Sequence, residues 1–241
     1  MFRSKSFNNR HVSPNLLTRS KSISDIYVTA LDARALITVK KVGAVEAVNL
    51  INRILTKNMT EKDWGRDNFH DPSDIESNKF LSRYEDARFM FEQIKDIITM
   101  NMRIGKSNDN KCFFIAFYSG VPIGALQLRL EDIYASESSF SNNSISDLPE
   151  VELLATHCGI NNAGVILVEH AVNESQKSGK EGKLKCFIYD AAYEAYSNMG
   201  FYEITNEKNK KGKRCKKCMY LDPSKSSLWH FINGHYKYKG F

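Results

Sequence analysis

Apolar residues along this chain recur with two periods, and the changes of period mark out the elements. Phe80, Tyr84, Ala87, Phe91, Ile94 and Ile98 alternate steps of four and three, which predicts a long helix with one buried face. Ala44, Val48, Ile51 and Leu55 form a shorter helical stripe that ends near Asn58. Before it, Ile26, Val28, Leu36, Ile37 and Val39 suggest strand between Ser24 and Val39, with a break near Asp32. Gly105 to Asn110 reads as a loop. Cys112 to Tyr118 (CFFIAFY) is continuously apolar and suits a strand covered on both faces. Ser119-Gly120-Val121-Pro122 supplies a turn, after which Leu126, Leu128 and Leu130 alternate with Gln127, Arg129 and Glu131.

The stretch from Val151 to Phe201 organises the remainder. An apolar run, Val151 to Thr156, enters a polar turn containing Gly159, Asn161, Asn162 and Gly164. A helix follows with Val165, Val168 and Val172 on one face, and Gly179 and Gly182 bracket its end. A second apolar run, Leu184 to Tyr189, leads to a second helix whose Ala192, Ala195, Tyr196 and Met199 share a face, and Gly200 stops it. A short strand, a basic loop from Glu207 to Lys217 and a strand ending at Leu221 complete the body. The predicted order is β, α, α, β, β, β, α, β, α, β, β.

A strand that runs through a polar turn into a helix is a place to hold phosphate. The first amides of the helix lack intrahelical partners, and the helix dipole favours negative charge there. Asn adopts positive φ more readily than most residues, so Asn161 and Asn162 can stand where glycine is usual. An ordinary strand-to-helix connection has the same outline.

Two segments here resemble the core of the GNAT superfamily of N-acetyltransferases. Gly159-Ile160-Asn161-Asn162-Ala163-Gly164 aligns with the family's acetyl-CoA loop, Gln/Arg-x-x-Gly-x-Gly/Ala, and matches it at the final glycine. Ala192 to Phe201 (AYEAYSNMGF) looks like the family's Ala-x-x-x-Tyr-x-x-x-Gly-Phe. The resemblance covers roughly Ser24 to Asp222. It implies a GNAT-like α/β fold, a mixed and mostly antiparallel central sheet flanked by helices on both faces. It also implies acetyl-CoA as co-substrate, entering where the central strands splay apart. The backbone of Leu154, Ala155 and Thr156 would then hold the thioester carbonyl and pantetheine, and residues 159–164 the diphosphate. Tyr196 maps onto the family's leaving-group acid; it is equally a core tyrosine on the helix stripe. Glu152, an acid within an apolar strand, falls where the family often places a proton acceptor, with Glu150 on the same face as an alternative.

Acyl transfer to an amine needs a free lone pair, and only about one lysine in a thousand is neutral near neutral pH. The resemblance implies N-acetylation of a protein lysine or small cationic amine, and the amine's pKa implies that proton removal is assisted. A non-catalytic module of the same fold, acting through protein partners, is the alternative. Acids gather in residues 61–76 and 131–150, where they would attract a cationic acceptor if they border its site; solvated loops have the same composition.

Composition narrows the remainder. The 241 residues carry a net charge of +6, unevenly spread. Residues 1–23 hold Arg3, Lys5, Arg10, Arg19 and Lys21 among Ser and Asn with no acid. A disordered tail, a transit peptide and a bacterial secretion signal all fit such a segment, the last making the protein an effector delivered into host cells; otherwise a cytoplasmic location is expected. Residues 223–241 form an aromatic tail that packs on the body or on a partner, with Ser24 to Asp222 as the domain between. No apolar run is long enough for a transmembrane segment. Five cysteines, an odd number, favour reduced thiols over a disulfide framework. Cys215-Lys-Lys-Cys218 lacks a second pair at zinc-site distance, so no metal is expected. His157-Cys158 adjacency is no argument for a Cys/His nucleophile, since such groups must meet in space. The basic loop at 207–217 reads as a solvated hairpin, and no nucleic acid is expected. Sequence does not fix the oligomeric state.

Overall fold

A computed structural model describes residues 34–60, 75–106, 108–130, 147–204 and 217–240. The basic tail at 1–23, the start of the first strand, the acidic segments at 61–74 and 131–146, and the basic loop with Cys215 lie outside the described residues.

The elements follow the predicted order: β1 (Ile37–Val42), α1 (Ala44–Arg53), α2 (Ile75–Arg103), β2 (Lys111–Tyr118), β3 (Val121–Arg129), β4 (Glu150–Thr156), α3 (Ala163–Lys177), β5 (Leu184–Ile188), α4 (Tyr193–Asn198), β6 (Tyr202–Glu203) and β7 (Lys217–Leu221). One seven-stranded sheet has the order β1-β2-β3-β4-β5-β7-β6. Only β4 and β5 run parallel; the other neighbours are antiparallel. The α3 crossover joins the parallel pair, as such a connection requires.

Two cores form, one on each face of the sheet. Against α3 pack Phe114, Leu126, Leu128, Val151, Cys186 and Met219. Against α1 and α2 pack Phe113, Ile115, Ala125 and Ala155. The α2 stripe is buried as its spacing predicts, with Ala87 partly covered. In α1 the buried residues are Ala47 and Ile51, and Ile54 just beyond it continues them. The stripe is thus rotated from the predicted Ala44, Val48, Ile51 and Leu55, of which all but Ile51 are only partly covered. The chain continues beyond α1 as one π-helical turn, Ile54–Asn58. Gln127, an expected outward-facing residue of β3, is also buried at 1% exposure.

One turn and two positions of β3 shape the centre of the sheet. Ser119 and Gly120, both at positive φ, form the whole β2–β3 turn, and Val121 already pairs with Tyr118. Pro122 is tolerated in β3 because it pairs at an irregularity between Ala116 and Phe117. Gly124 lets α3 approach the sheet, since a Cβ there would lie 3.0 Å from the Leu167 side chain and 3.3 Å from the Ala155 carbonyl.

The aromatic tail packs on the body as a hairpin, β8 (Trp229–Ile232) and β9 (His235–Tyr238). Asn233 and Gly234 take positive φ at its tip, the combination a two-residue hairpin turn requires. The Asn173 side chain of α3 bonds the Tyr236 backbone twice, donating from Nδ2 (3.0 Å) and accepting at Oδ1 (2.8 Å). Trp229 Nε1 donates to the Met199 carbonyl at 2.8 Å, so the hairpin also grips the end of α4.

Candidate active site

The site begins with an irregularity in β4. On its β3 side, Leu153 pairs with Gln127 and Val151 with Leu128, which leaves Glu152 as an extra residue. Such a bulge bends the strand and increases its twist. On the other side, β4 pairs with β5 only at Glu150 and Val151. Beyond them the two parallel strands part. Leu154, Ala155 and Thr156 stay paired to β3, and their opposite edge faces a gap instead of a strand.

The gap opens into a cleft of about 470 Å³. Its floor is Leu154 to Thr156, and one end is Ile160, Asn161, Asn162 and Gly164. The α4 residues Ala195, Asn198 and Met199 form one wall, Arg83, Asp86, Ala87 and Met90 of α2 another, and Tyr238 and Gly240 close a side.

His157 braces the loop between β4 and α3. It is 1% exposed, its Nε2 lies 3.1 Å from the Asn58 carbonyl, and its Nδ1 accepts the Gly159 amide at 3.1 Å. A carbonyl on one nitrogen and an N–H on the other require the neutral ring protonated at Nε2. Burial agrees, lowering its pKa from 6.5 to about 4. Asn58 in turn donates from Nδ2 to the Pro122 carbonyl at 2.8 Å, so the π-turn, β3 and the loop form one unit.

Asn162 takes φ +65° as the residue preceding α3, the left-handed role expected for an asparagine of this loop; Asn161 is not at positive φ. The first backbone bond into the helix is Ile166 N–H to Asn162 O, 3.3 Å, so the amides of Ala163, Gly164 and Val165 precede it. Among the described residues no side chain caps this end. The unpartnered amides and the dipole are therefore available to an anion at the cleft.

Of the nine residues expected to hold the co-substrate, Leu154, Ala155, Thr156, Ile160, Asn161, Asn162 and Gly164 line the cleft. Gly159 and Ala163 do not: the Gly159 amide is taken by His157, and the Ala163 side chain is buried at 1% exposure.

The two expected catalytic side chains are not brought to the cleft. Tyr196 is buried, its ring edge-on to Phe201 at 5.2 Å, and burial raises its phenol pKa. The Tyr196 ring turns into the core, while Ala195 and Asn198 of α4 and the following Met199 line the cleft. Glu152 lies in an ionic cluster: Lys111 Nζ is 3.2 Å and Arg129 Nε 3.3 Å from its carboxylate, and Gln127 Nε2 donates to it as well. Glu150 is held by Arg129 at 2.5 Å.

Cys158 borders the cleft, but burial pushes its thiol up to about 12, and both ring nitrogens of the adjacent His157 are engaged. A Cys/His nucleophile is not formed.

The α2 and hairpin contributions were missed in the sequence. Arg83, Asp86 and Met90 run along the flank of the buried α2 stripe, three and four residues apart, so they face the same end of the sheet. Asn233-Gly234 within an aromatic segment is the local sequence signal for the hairpin.

No protein-family model matches the chain, and no curated protein sequence matches it. Among solved structures it is similar to the PaiA N-acetyltransferase of Thermoplasma acidophilum in complex with coenzyme A, at 14% identity and TM-score 0.41, covering 76% of this chain and 97% of that one. It is also similar to a GNAT-family acetyltransferase from Streptococcus pneumoniae, at 15% identity and TM-score 0.39, covering 77% and 98%. A spermidine N-acetyltransferase from Vibrio cholerae is similar at 13% identity and TM-score 0.38, covering 78% and 94%. By its strand order and pairing, the chain has the mixed, mostly antiparallel central sheet with helices on both faces that was expected.

Proposed function

We propose that the chain binds acetyl-CoA in this cleft and transfers the acetyl group to a primary amine. The observation that carries the reading is the gap between β4 and β5, which leads to the unpartnered amides at the start of α3. The free edge of Leu154 to Thr156 would bond the amides of a pantetheine arm as a missing strand would. It would also hold the thioester carbonyl, where a backbone N–H stabilises the oxyanion that forms on attack. The amides of Gly164 and Val165 would take the diphosphate. The amine nitrogen adds to the carbonyl carbon, the C–S bond breaks, and the amine proton passes to solvent or a base while the thiolate is protonated. The acceptor class is a protein lysine or small cationic amine.

A second reading is a binding module without transfer. It is favoured by the positions of Tyr196 in the core and Glu152 among two cations and an amide. One experiment separates the two: thermal unfolding with and without acetyl-CoA, followed by assay of thiol release with a polyamine or lysine peptide. Ligand at a hundred times its Kd stabilises by about 2.7 kcal/mol. A shift with thiol release supports the transferase; a shift without release, or no shift at millimolar acetyl-CoA, supports the module.

A further inference from the structure

The loop that faces the cleft is HCGINNAG, residues 157–164, and it contains no Lys or Arg. Its histidine supplies no charge, because one ring nitrogen meets a carbonyl and the other accepts an amide. A diphosphate docked on the α3 amides carries about two negative charges, whereas a helix start offers the equivalent of about half a positive one. The remaining charge has to be met from elsewhere.

Among the described residues lining the cleft, Arg83 and Asp86 are the charged ones. Arg83 is exposed, and its guanidinium carbon lies 5.9 Å from the centroid of the Phe80 ring, a contact that orients it. It makes no ion pair with Asp86, one turn further on, or with another carboxylate among the described residues. It lines the same cleft as Cys158, Asn161 and Asn162 of the loop.

We propose that Arg83 of α2 is the cation that binds the diphosphate of the co-substrate at the start of α3. A guanidinium suits this role, since its planar fork bonds two phosphate oxygens at once. Asp86 opposes it, so the local field on the ligand is the difference between the two. The inference rests on the acetyl-CoA reading above and adds a partner from a helix that the loop sequence does not reveal.

The test is calorimetric titration of wild type, Arg83→Ala, Arg83→Lys and Asp86→Asn with acetyl-CoA, acetyl-3′-dephospho-CoA, S-acetylpantetheine and inorganic pyrophosphate. Arg83→Ala should weaken both nucleotide ligands and pyrophosphate about ten- to a hundredfold. S-acetylpantetheine, which lacks the diphosphate, should bind within about twofold of wild type. Arg83→Lys should recover part of the loss, and Asp86→Asn should tighten the diphosphate ligands a few-fold. Unchanged nucleotide binding in Arg83→Ala overturns the inference and leaves the acetyl-CoA reading standing. So does a loss confined to acetyl-CoA, which would place Arg83 on the 3′-phosphate. If wild type binds pyrophosphate in an Arg83-dependent way but neither nucleotide ligand nor S-acetylpantetheine, the anion site stands and the acetyl-CoA reading fails.

Discussion

Val151 and Leu153 are two residues apart in one strand, yet their side chains enter opposite cores. Val151 packs beneath α3, and Leu153 packs on the α1–α2 side. Regular alternation would put both on one face. The extra residue Glu152 reverses the parity between them, and the strand leaves β5 at the same point. One inserted residue therefore accounts for both the change of core and the opening of the cleft.

Glu152 is expected to matter to stability through its partners. Glu152→Gln keeps the bulge but leaves Lys111 and Arg129 facing a neutral amide, with the carboxylate side chain at 20% exposure in the native cluster. We expect a loss of about 1–3 kcal/mol, read as a lower midpoint in urea. An unchanged midpoint together with a fall in turnover that recovers at high pH would make Glu152 the proton acceptor instead.

Tyr196→Phe retains the ring that packs edge-on to Phe201 and removes only the hydroxyl. Because this side chain is buried and does not line the cleft, turnover should stay within about threefold of wild type. A general acid contributes about a hundredfold or more, so a fall of that size would assign the hydroxyl to the leaving thiol.

Gly164 lines the cleft, and the atoms nearest to a Cβ there would be the Met199 side chain at 3.5 Å and those of Leu154 and Thr156 at 3.9 Å, ordinary contact distances. Gly164→Ala should thus fold normally. Gly164→Asp adds a charge where the diphosphate is placed and should abolish the thermal shift produced by acetyl-CoA. Retention of that shift in Gly164→Asp would move the nucleotide away from the start of α3.

His157 makes stability depend on pH in a defined window. Its pKa falls from 6.5 to about 4 on folding, so between those values the unfolded chain binds the extra proton. Its contribution is full above pH 6.5 and lost as pH falls towards 4, by roughly 3 kcal/mol. His157→Gln should flatten that part of the stability profile and also weaken acetyl-CoA, since the ring braces Gly159 and Asn58. A profile as steep as wild type in this variant would assign the dependence to other groups.

The C-terminal hairpin should contribute to the cleft that it borders. Asn173→Ala removes both bonds to the Tyr236 backbone. Loss of the pair is expected to cost about 1–3 kcal/mol and to weaken acetyl-CoA through the displaced Tyr238. Faster hydrogen exchange confined to residues 229–240 would report the cause, and unchanged exchange there would refute it.

Local periodicity by itself determined the elements from β1 to β7 and their order, because a buried stripe must repeat at the period of its backbone. Phe80 to Ile98 and Cys112 to Tyr118 have no other economical reading. The loop at Gly159 to Gly164 was also legible, since a polar turn between a strand and a helix has a local signature, and Asn162 takes the left-handed conformation its type permits. Tertiary structure alone decided the bulge at Glu152, because a strand's register depends on its partner and β3 lies more than twenty residues earlier in the chain. It also decided which way Tyr196 points, since a one-and-a-half-turn helix can present either face to the core. The charge facing the loop comes from α2, and one wall of the cleft from a hairpin at the far end of the chain. Such long-range meetings depend on how the layers pack, which no local pattern records.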